Sequence, residues 1–290
     1  MYTNTAIYAP ESGGGFDPAA YVIIVDTTAT GGGTTSSSNQ YTVGTLGAGY
    51  NYDIITDDGQ TFTSQTGNRT ITFAVSGLHT IQITGTFPRF LNYGSPDKNK
   101  TIEIVQWGDT GITTLANTFE GASRITSFPS SPSPGPVLTG VTSCRLGFRD
   151  TDAVVSIDFS NWDTSTITTF HNMFPLCAAL TSIDITGWDM NGVTDVEFFF
   201  GGNGNLQSIE GVWDWDLSTI SNSGLFMGDA DFTTAQYNRL LIEWDATWKT
   251  TALSKNWAFG QSRYSASSAA STARAALITA GWTITDGGAI

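Results

Sequence analysis

The stretch "WDTSTITTFHNMFPLCAALTSIDITGWD", residues 162–189, decides how this chain folds. It opens and closes on Trp-Asp, and its two tryptophans lie 26 positions apart. With Trp162 as offset 0, Ile167, Phe170, Phe174, Leu180 and Ile183 fall at +5, +8, +12, +18 and +21. A restart at Trp188 places Val193, Val196, Phe200, Leu206 and Ile209 at the same offsets. Counting from Trp107 gives Ile112, Leu115, Phe119, Ile125 and Phe128; counting from Pro136 gives Val141, Cys144, Phe148, Val154 and Ile157. A fifth unit starts at Trp215, keeps Ile220 and fades around Phe226. Twenty apolar slots filled in four units mark a repeat, and a period of this length implies units that bury their apolar faces by stacking.

The offsets imply a shape for each unit. Steps of 3 and 4 between +5, +8 and +12 predict a short helix with one apolar face. The period-2 pattern of "LTSIDITGW" (180–188) predicts a strand. Each unit is therefore expected to run helix, turn, strand, turn. The repeat core is predicted at Phe119, Phe148, Phe174 and Phe200, with Ile125, Val154, Leu180 and Leu206. "SFPSSPSPGPVL" (127–138) separates the first two units, and its four prolines predict an irregular loop.

The best-preserved unit resembles the BspA-like leucine-rich repeat of bacterial surface proteins, whose pattern runs W-D-T-S-x-[IV]-T-x-[MF]-x-x-M-F-x-x-C-x-x-L-x-S-[IL]-D-[IL]-[ST]-x-W-D. Met173, Phe174 and Cys177 all match, whereas the Cys177 slot holds Ala122, Thr151 and Asn203 in the neighbouring units. The resemblance covers residues 107–230. It implies a surface-exposed binding or display role without enzymatic activity.

Residues 17–106 alternate apolar and polar positions. "AAYVIIVDTT" predicts a buried strand. Asp58-Gly59 and Ser76-Gly77 predict turns, with Ile71, Phe73 and Val75 on one side of a strand and Ile81 and Ile83 on one side of the next. This predicts a β-sandwich. "TDDGQT" and "ITFAVSGLHTIQI" make the segment similar to polycystic-kidney-disease (PKD) domains, although Tyr52 and Ile54 replace that family's first aromatic pair. The resemblance implies a spacer or a module that binds protein or carbohydrate.

Residues 231–290 predict a cap. Thr233 is the expected N-cap of a helix carrying Tyr237, Leu240, Leu241 and Trp244 on one face. An Ala-rich second helix ends at Gly281, and "WTITDGG" follows as a strand and turn. This segment too resembles the C-terminal cap that follows BspA-like repeats. Residues 1–16 are expected to form an arm hinged on Gly-Gly-Gly. The predicted organisation is thus arm (1–16), PKD-like β-sandwich (17–106), leucine-rich-repeat-type solenoid (107–230) and helical cap (231–290): a mainly β protein with short helices.

Only 13% of the residues are charged, and the net charge is -14. The acidity is concentrated in residues 107–230, which hold 14 acids against 3 bases. Such a surface repels phosphate backbones, so no nucleic-acid partner is expected. No apolar run is long enough for a membrane span, so no membrane insertion is expected. Cys144 and Cys177 form no CxxC motif and read as buried thiols, with a bridge between them left open.

Motifs for chemistry are scarce. His79 falls in a predicted strand, and His171 falls on the outward side of a predicted repeat helix; no third ligand accompanies either, so no metal site and no catalytic residue are predicted. Trp213, Asp214, Trp215 and Asp216, beside Glu210, are the most site-like cluster and the candidate binding patch. Glycosidases use paired carboxylates, yet Asp216 shares offset +1 with Asp163 and Asp189, which reads as a structural ladder accepting turn N–H groups. That ladder, or Asp57 and Asp58, also offers the oxygen ligands Ca²⁺ takes; no other cofactor is expected.

The first twenty residues show neither the basic nor the apolar region of a secretory signal. With the Gly/Thr/Ser-rich surface, this favours a non-enzymatic virion structural or attachment protein of a bacteriophage (fibre, spike or decoration) over a bacterial cell-surface adhesin. The expected partners are other virion proteins, through the arm and β domain, and a host protein or glycan; the expected location is the virion surface, and a homo-oligomer is expected.

Overall fold

The computed structural model describes residues 15–30, 36–90, 93–130, 133–229, 231–248 and 256–290. All but the end of the arm expected at 1–16 lies outside the described residues. The fold is mainly β, with two α-helices among the described residues.

Residues 17–106 form strands β1 (Tyr21–Asp26), β2 (Gln40–Val43), β3 (Asn51–Thr56), β4 (Thr61–Gln65), β5 (Arg69–Thr72), β6 (Leu78–Thr86) and β7 (Thr101–Gln106). Five make an antiparallel sheet in the order β4-β3-β6-β1-β7; β2 and β5 pair separately. Tyr41 and Ile71 of the small sheet join Tyr21, Tyr52, Ile81 and Ile83 of the large one in a single apolar core. The buried Lys100 ammonium donates to the carbonyls of Ser37 and Gln40, both at 2.8 Å, tying the entry to β2 onto β7. One expectation fails: Val75 does not share the side of Ile71 and Phe73 but is 71% exposed. β5 ends at Thr72, so Val75 sits in the bend leading to β6.

The repeat units stack with parallel register. Strands β8 (Ser156–Asp158), β9 (Ser182–Asp184) and β10 (Ser208–Glu210) pair so that Ile157, Ile183 and Ile209 align. A second column of bridges runs Ser143, Thr169, Asp195, Asn222. The eight predicted core residues are all buried. Phe119, Phe148, Phe174 and Phe200 form a ladder of near-parallel rings with centroids 5.2, 5.2 and 5.9 Å apart. Trp107, Trp162, Trp188 and Trp215 are buried beside it.

The predicted repeat helix is absent. Alternate residues from +8 to +14 donate backbone hydrogen bonds to the next unit: the N–H groups of Phe170, Asn172, Phe174 and Leu176 reach the carbonyls of Asp195, Glu197, Phe199 and Gly201 at 2.9–3.0 Å, while Met173 N closes a single turn onto Phe170 O at 3.0 Å. A left-handed residue stands at +10 in every unit: Asn117, Leu146, Asn172, Phe198 and Leu225 have φ of 51–58°. Each turns the chain back, so +8 and +12 both face inward without a helix.

Threonine and serine hydroxyls stitch the units together. Thr168 and Ser221 donate to the carbonyls of Thr142 and Thr194 at 3.1 and 3.2 Å, and Thr181 donates to that of Val155 at 3.0 Å.

The C-terminal region contains α1 (Thr234–Trp248), β11 (Asn256–Ala258), α2 (Ala269–Thr279) and β12 (Thr283–Thr285). Thr233 Oγ1 caps α1 by accepting from Gln236 N at 3.4 Å, and Gly281 closes α2 with φ 97°. β11 has no counterpart in the sequence-based expectation. It pairs in parallel with β12, and its Ala258 carbonyl accepts from Met227 N at 2.9 Å. The stacking geometry therefore continues through two further rungs, each preceded by a true helix.

Candidate binding surface

The outward face of the strand column holds a groove of about 480 Å³. Ser156, Ser182 and Ser208 line it at +20, and Asp158, Asp184 and Glu210 at +22. These side chains point out because the intervening isoleucines point in. The groove opens where the repeat stretches: the first two unit starts lie 29 residues apart, against 26 for the next pair. β7 bridges to Ser127 through Glu103, but among the described residues no strand ladder joins Ser127 to Ser156. Asp158 Oδ1 accepts from Ser160 N and Oγ at 3.1 and 2.7 Å, and Asp184 Oδ1 accepts from Thr186 N at 2.9 Å. Gln236 Nε2 reaches from α1 to Ser208 Oγ at 3.0 Å and Glu210 Oε1 at 3.2 Å, closing the groove at the cap end. The face is thus a set of hydroxyl–carboxylate rungs on a rigid scaffold.

The ladder expected at +1 has the anticipated local role. Asp163, Asp189 and Asp216 accept from the N–H groups of Ser165, Asn191 and Ser218 at 3.1, 2.8 and 2.8 Å. The bonds from Ser165 hold the Asp163 carboxyl below the usual carboxylate range. Asp58 likewise serves its own turn: burial raises its carboxyl, but bonds from Thr56 and Gln60 outweigh this and lower it. Among the described residues, neither the ladder nor the Asp57–Asp58 pair belongs to a group of three His, Cys, Asp or Glu side chains close enough to share an ion.

The predicted patch at Trp213–Asp216 does not form a binding surface. Trp213 and Trp215 are buried, at 6% and 1% exposure, while Asp214 is exposed and Asp216 caps its turn. Arg239 of α1 covers the Trp213 ring at 3.7 Å from its centroid. Trp215 holds the first position of the fifth unit, and Trp213, which has no counterpart in the other units, is buried beneath Arg239, so neither ring offers a face to a sugar.

Cys144 and Cys177 are free, buried thiols. Burial raises both, and Cys177 is pushed up to about 12. Cys177 Sγ donates to Phe148 O at 3.2 Å. His79, on the central strand β6, stacks on Phe73 with ring centroids 3.7 Å apart and contacts Asp57 Oδ1 at 3.1 Å, at the rim of the core.

His171 departs from expectation. It lies in a turn, with its ring 21% exposed, and Nδ1 faces Asp195 Oδ2 at 3.4 Å and Glu197 Oε2 at 3.6 Å. These three residues are the one group among the described residues with three ligand-type atoms within 4.8 Å of one another. Sequence inspection misses the set because its members sit 24 and 26 positions apart in adjacent units. The signal was available in the register: +9 of one unit lies against +7 and +9 of the next.

The family described as "Mycoplasma protein of unknown function, DUF285" matches residues 140–259. The match runs from the second unit through β11 and leaves the N-terminal sheet, the first unit and the last helix and strand outside it. No curated protein and no solved structure matches the chain.

Proposed function

We propose that this protein is a non-enzymatic display and attachment module whose contact surface is the grooved strand face, carried on a bacteriophage particle as a fibre, spike or decoration protein. In this reading residues 107–230 are a BspA-like leucine-rich-repeat solenoid, and residues 17–106 are a PKD-like domain that docks on the particle together with the arm. The observation that carries it is the file of Ser–Asp rungs. Neighbouring strands set the rungs about 4.8 Å apart, and among the described residues the second oxygens of Asp158 and Asp184 accept no hydrogen bond. A polyhydroxylated glycan donates hydroxyl hydrogens to such acceptors and meets little charge repulsion, unlike nucleic acid.

The test uses the full chain on a broad glycan panel and on whole bacteria. Wild type is expected to bind, and Ser182→Trp and Asp184→Asn to lose at least tenfold in affinity. Failure of wild type on both panels overturns the proposal. A bacterial surface adhesin is the second reading, supported by the bacterial family matched over residues 140–259. Mass spectrometry of purified particles against washed cell envelopes separates the two, because the virion reading requires the chain in the particles.

A further inference from the structure

The cluster at His171, Asp195 and Glu197 has a geometry that hydrogen bonding alone leaves incomplete. Nδ1 of His171 is inaccessible to solvent and has no hydrogen-bond partner, although two carboxylate oxygens lie at 3.4 and 3.6 Å. Those separations are too long for good hydrogen bonds. They match the edges of a coordination tetrahedron, which measure about 3.3 Å for metal–ligand bonds near 2.05 Å.

The carboxylates are also held in place. Asp195 Oδ1 accepts from Glu197 N at 2.9 Å, leaving Oδ2 toward the imidazole. Glu197 Oε2 accepts from Asn222 Nδ2 at 2.9 Å, so the third unit, the fourth and the fifth all contribute to one pocket. On the other side of the ring, the Asn172 amide contacts Nε2. Turned over, that amide accepts the Nε2 proton through its oxygen and leaves the lone pair on Nδ1. An imidazole nitrogen with two carboxylates selects a first-row divalent ion over Ca²⁺, which prefers an all-oxygen shell.

We propose that His171 Nδ1, Asp195 Oδ2 and Glu197 Oε2 form a zinc-class divalent metal site that clamps the third repeat unit to the fourth, with the fourth coordination position open to solvent. All three side chains are partly exposed, so an ion enters without unfolding the stack. The site lies on the bridge column, half a repeat away from the grooved face, so it stands or falls independently of the ligand proposed there.

The experiment uses the full, tag-free chain stripped with chelator. Zn²⁺ is titrated in by competition with a chromophoric chelator, and Co²⁺ serves as a visible-absorption probe. One ion per chain is expected, together with a raised thermal midpoint and a cobalt spectrum of tetrahedral intensity. His171→Ala, Asp195→Asn and Glu197→Gln should each weaken Zn²⁺ at least tenfold, while Asp163→Asn should not. If His171→Ala fails to fold, the near-isosteric Asp195→Asn and Glu197→Gln carry the comparison. Binding below one ion per chain, or binding unchanged in those two variants, overturns the proposal.

Discussion

Asn203 shows how one side chain completes a repeat. It occupies the slot filled by Ala122, Thr151 and Cys177 in the earlier units, and it is fully buried. Its Oδ1 accepts from Cys177 N at 2.6 Å, and its Nδ2 donates to Phe174 O at 2.6 Å. In the preceding pair of units the Cys177 thiol meets the equivalent carbonyl of Phe148. In these two units the side chain in the slot satisfies a buried +12 carbonyl of the preceding unit, through a thiol in one and an amide in the other, whereas Ala122 in the first unit offers no such group. Asn203→Ala strands one buried donor and one buried acceptor, each worth about 1–3 kcal/mol. The expected destabilisation is about 2–4 kcal/mol, read from the urea midpoint at unchanged m-value; a loss under about 1 kcal/mol means that neither bond matters.

At the scale of the element, the turn from +8 to +14 replaces a helix, and its left-handed corner carries a cost. Leu225 is the informative case: its φ is 51° and its side chain is 55% exposed, so strain there is not offset by deep burial. A left-handed conformation costs an ordinary residue about 1 kcal/mol or more, and Asn tolerates it better. Leu225→Asn is expected to stabilise the chain by up to about 1 kcal/mol, and a lowered thermal midpoint argues against the conformational account. Asn117 and Asn172 already fill this corner in two other units. That asparagine was the legible clue against a helix, but the spacing of Phe170 and Phe174 spoke louder, because a reversed corner and a helical turn both return the chain inward after four residues. The core slots were legible for a simpler reason: burial constrains Phe148, Val154 and Leu180 whatever the backbone does between them. The His171 cluster and the groove were not, since both arise between units and depend on register rather than on any local pattern. The error at Trp213 and Trp215 has the opposite origin. Aromatics beside acids resemble a sugar site in one dimension, whereas the stack needs those rings inside.

Across the whole molecule the apolar core is unbroken, running from Tyr21 in the sheet through the Phe ladder to Ile284 in the last strand. β7 does double duty at the junction: it pairs with β1 on one side, and Ile104 N donates to Ser127 O of the first unit at 3.1 Å. Trp107 packs against Phe90 of the N-terminal region and Trp162 of the third unit, with ring centroids 5.7 and 5.5 Å apart. Gly108 adopts φ 64° directly beneath the Ala20 backbone, where a Cβ has no room. Repeat stacks often lose cooperativity because each unit touches only its neighbours. A shared strand and a continuous aromatic core oppose that tendency, since neither part keeps a closed core without the other. The full chain is therefore expected to unfold in one calorimetric transition, with calorimetric and van't Hoff enthalpies in agreement. Gly108→Val, which forces the junction apart, should lower the midpoint of that one transition for the sheet and the stack alike. Two resolved transitions in the wild type, or a Gly108→Val midpoint shift confined to one of them, would show that the sheet and the stack fold as separate bodies.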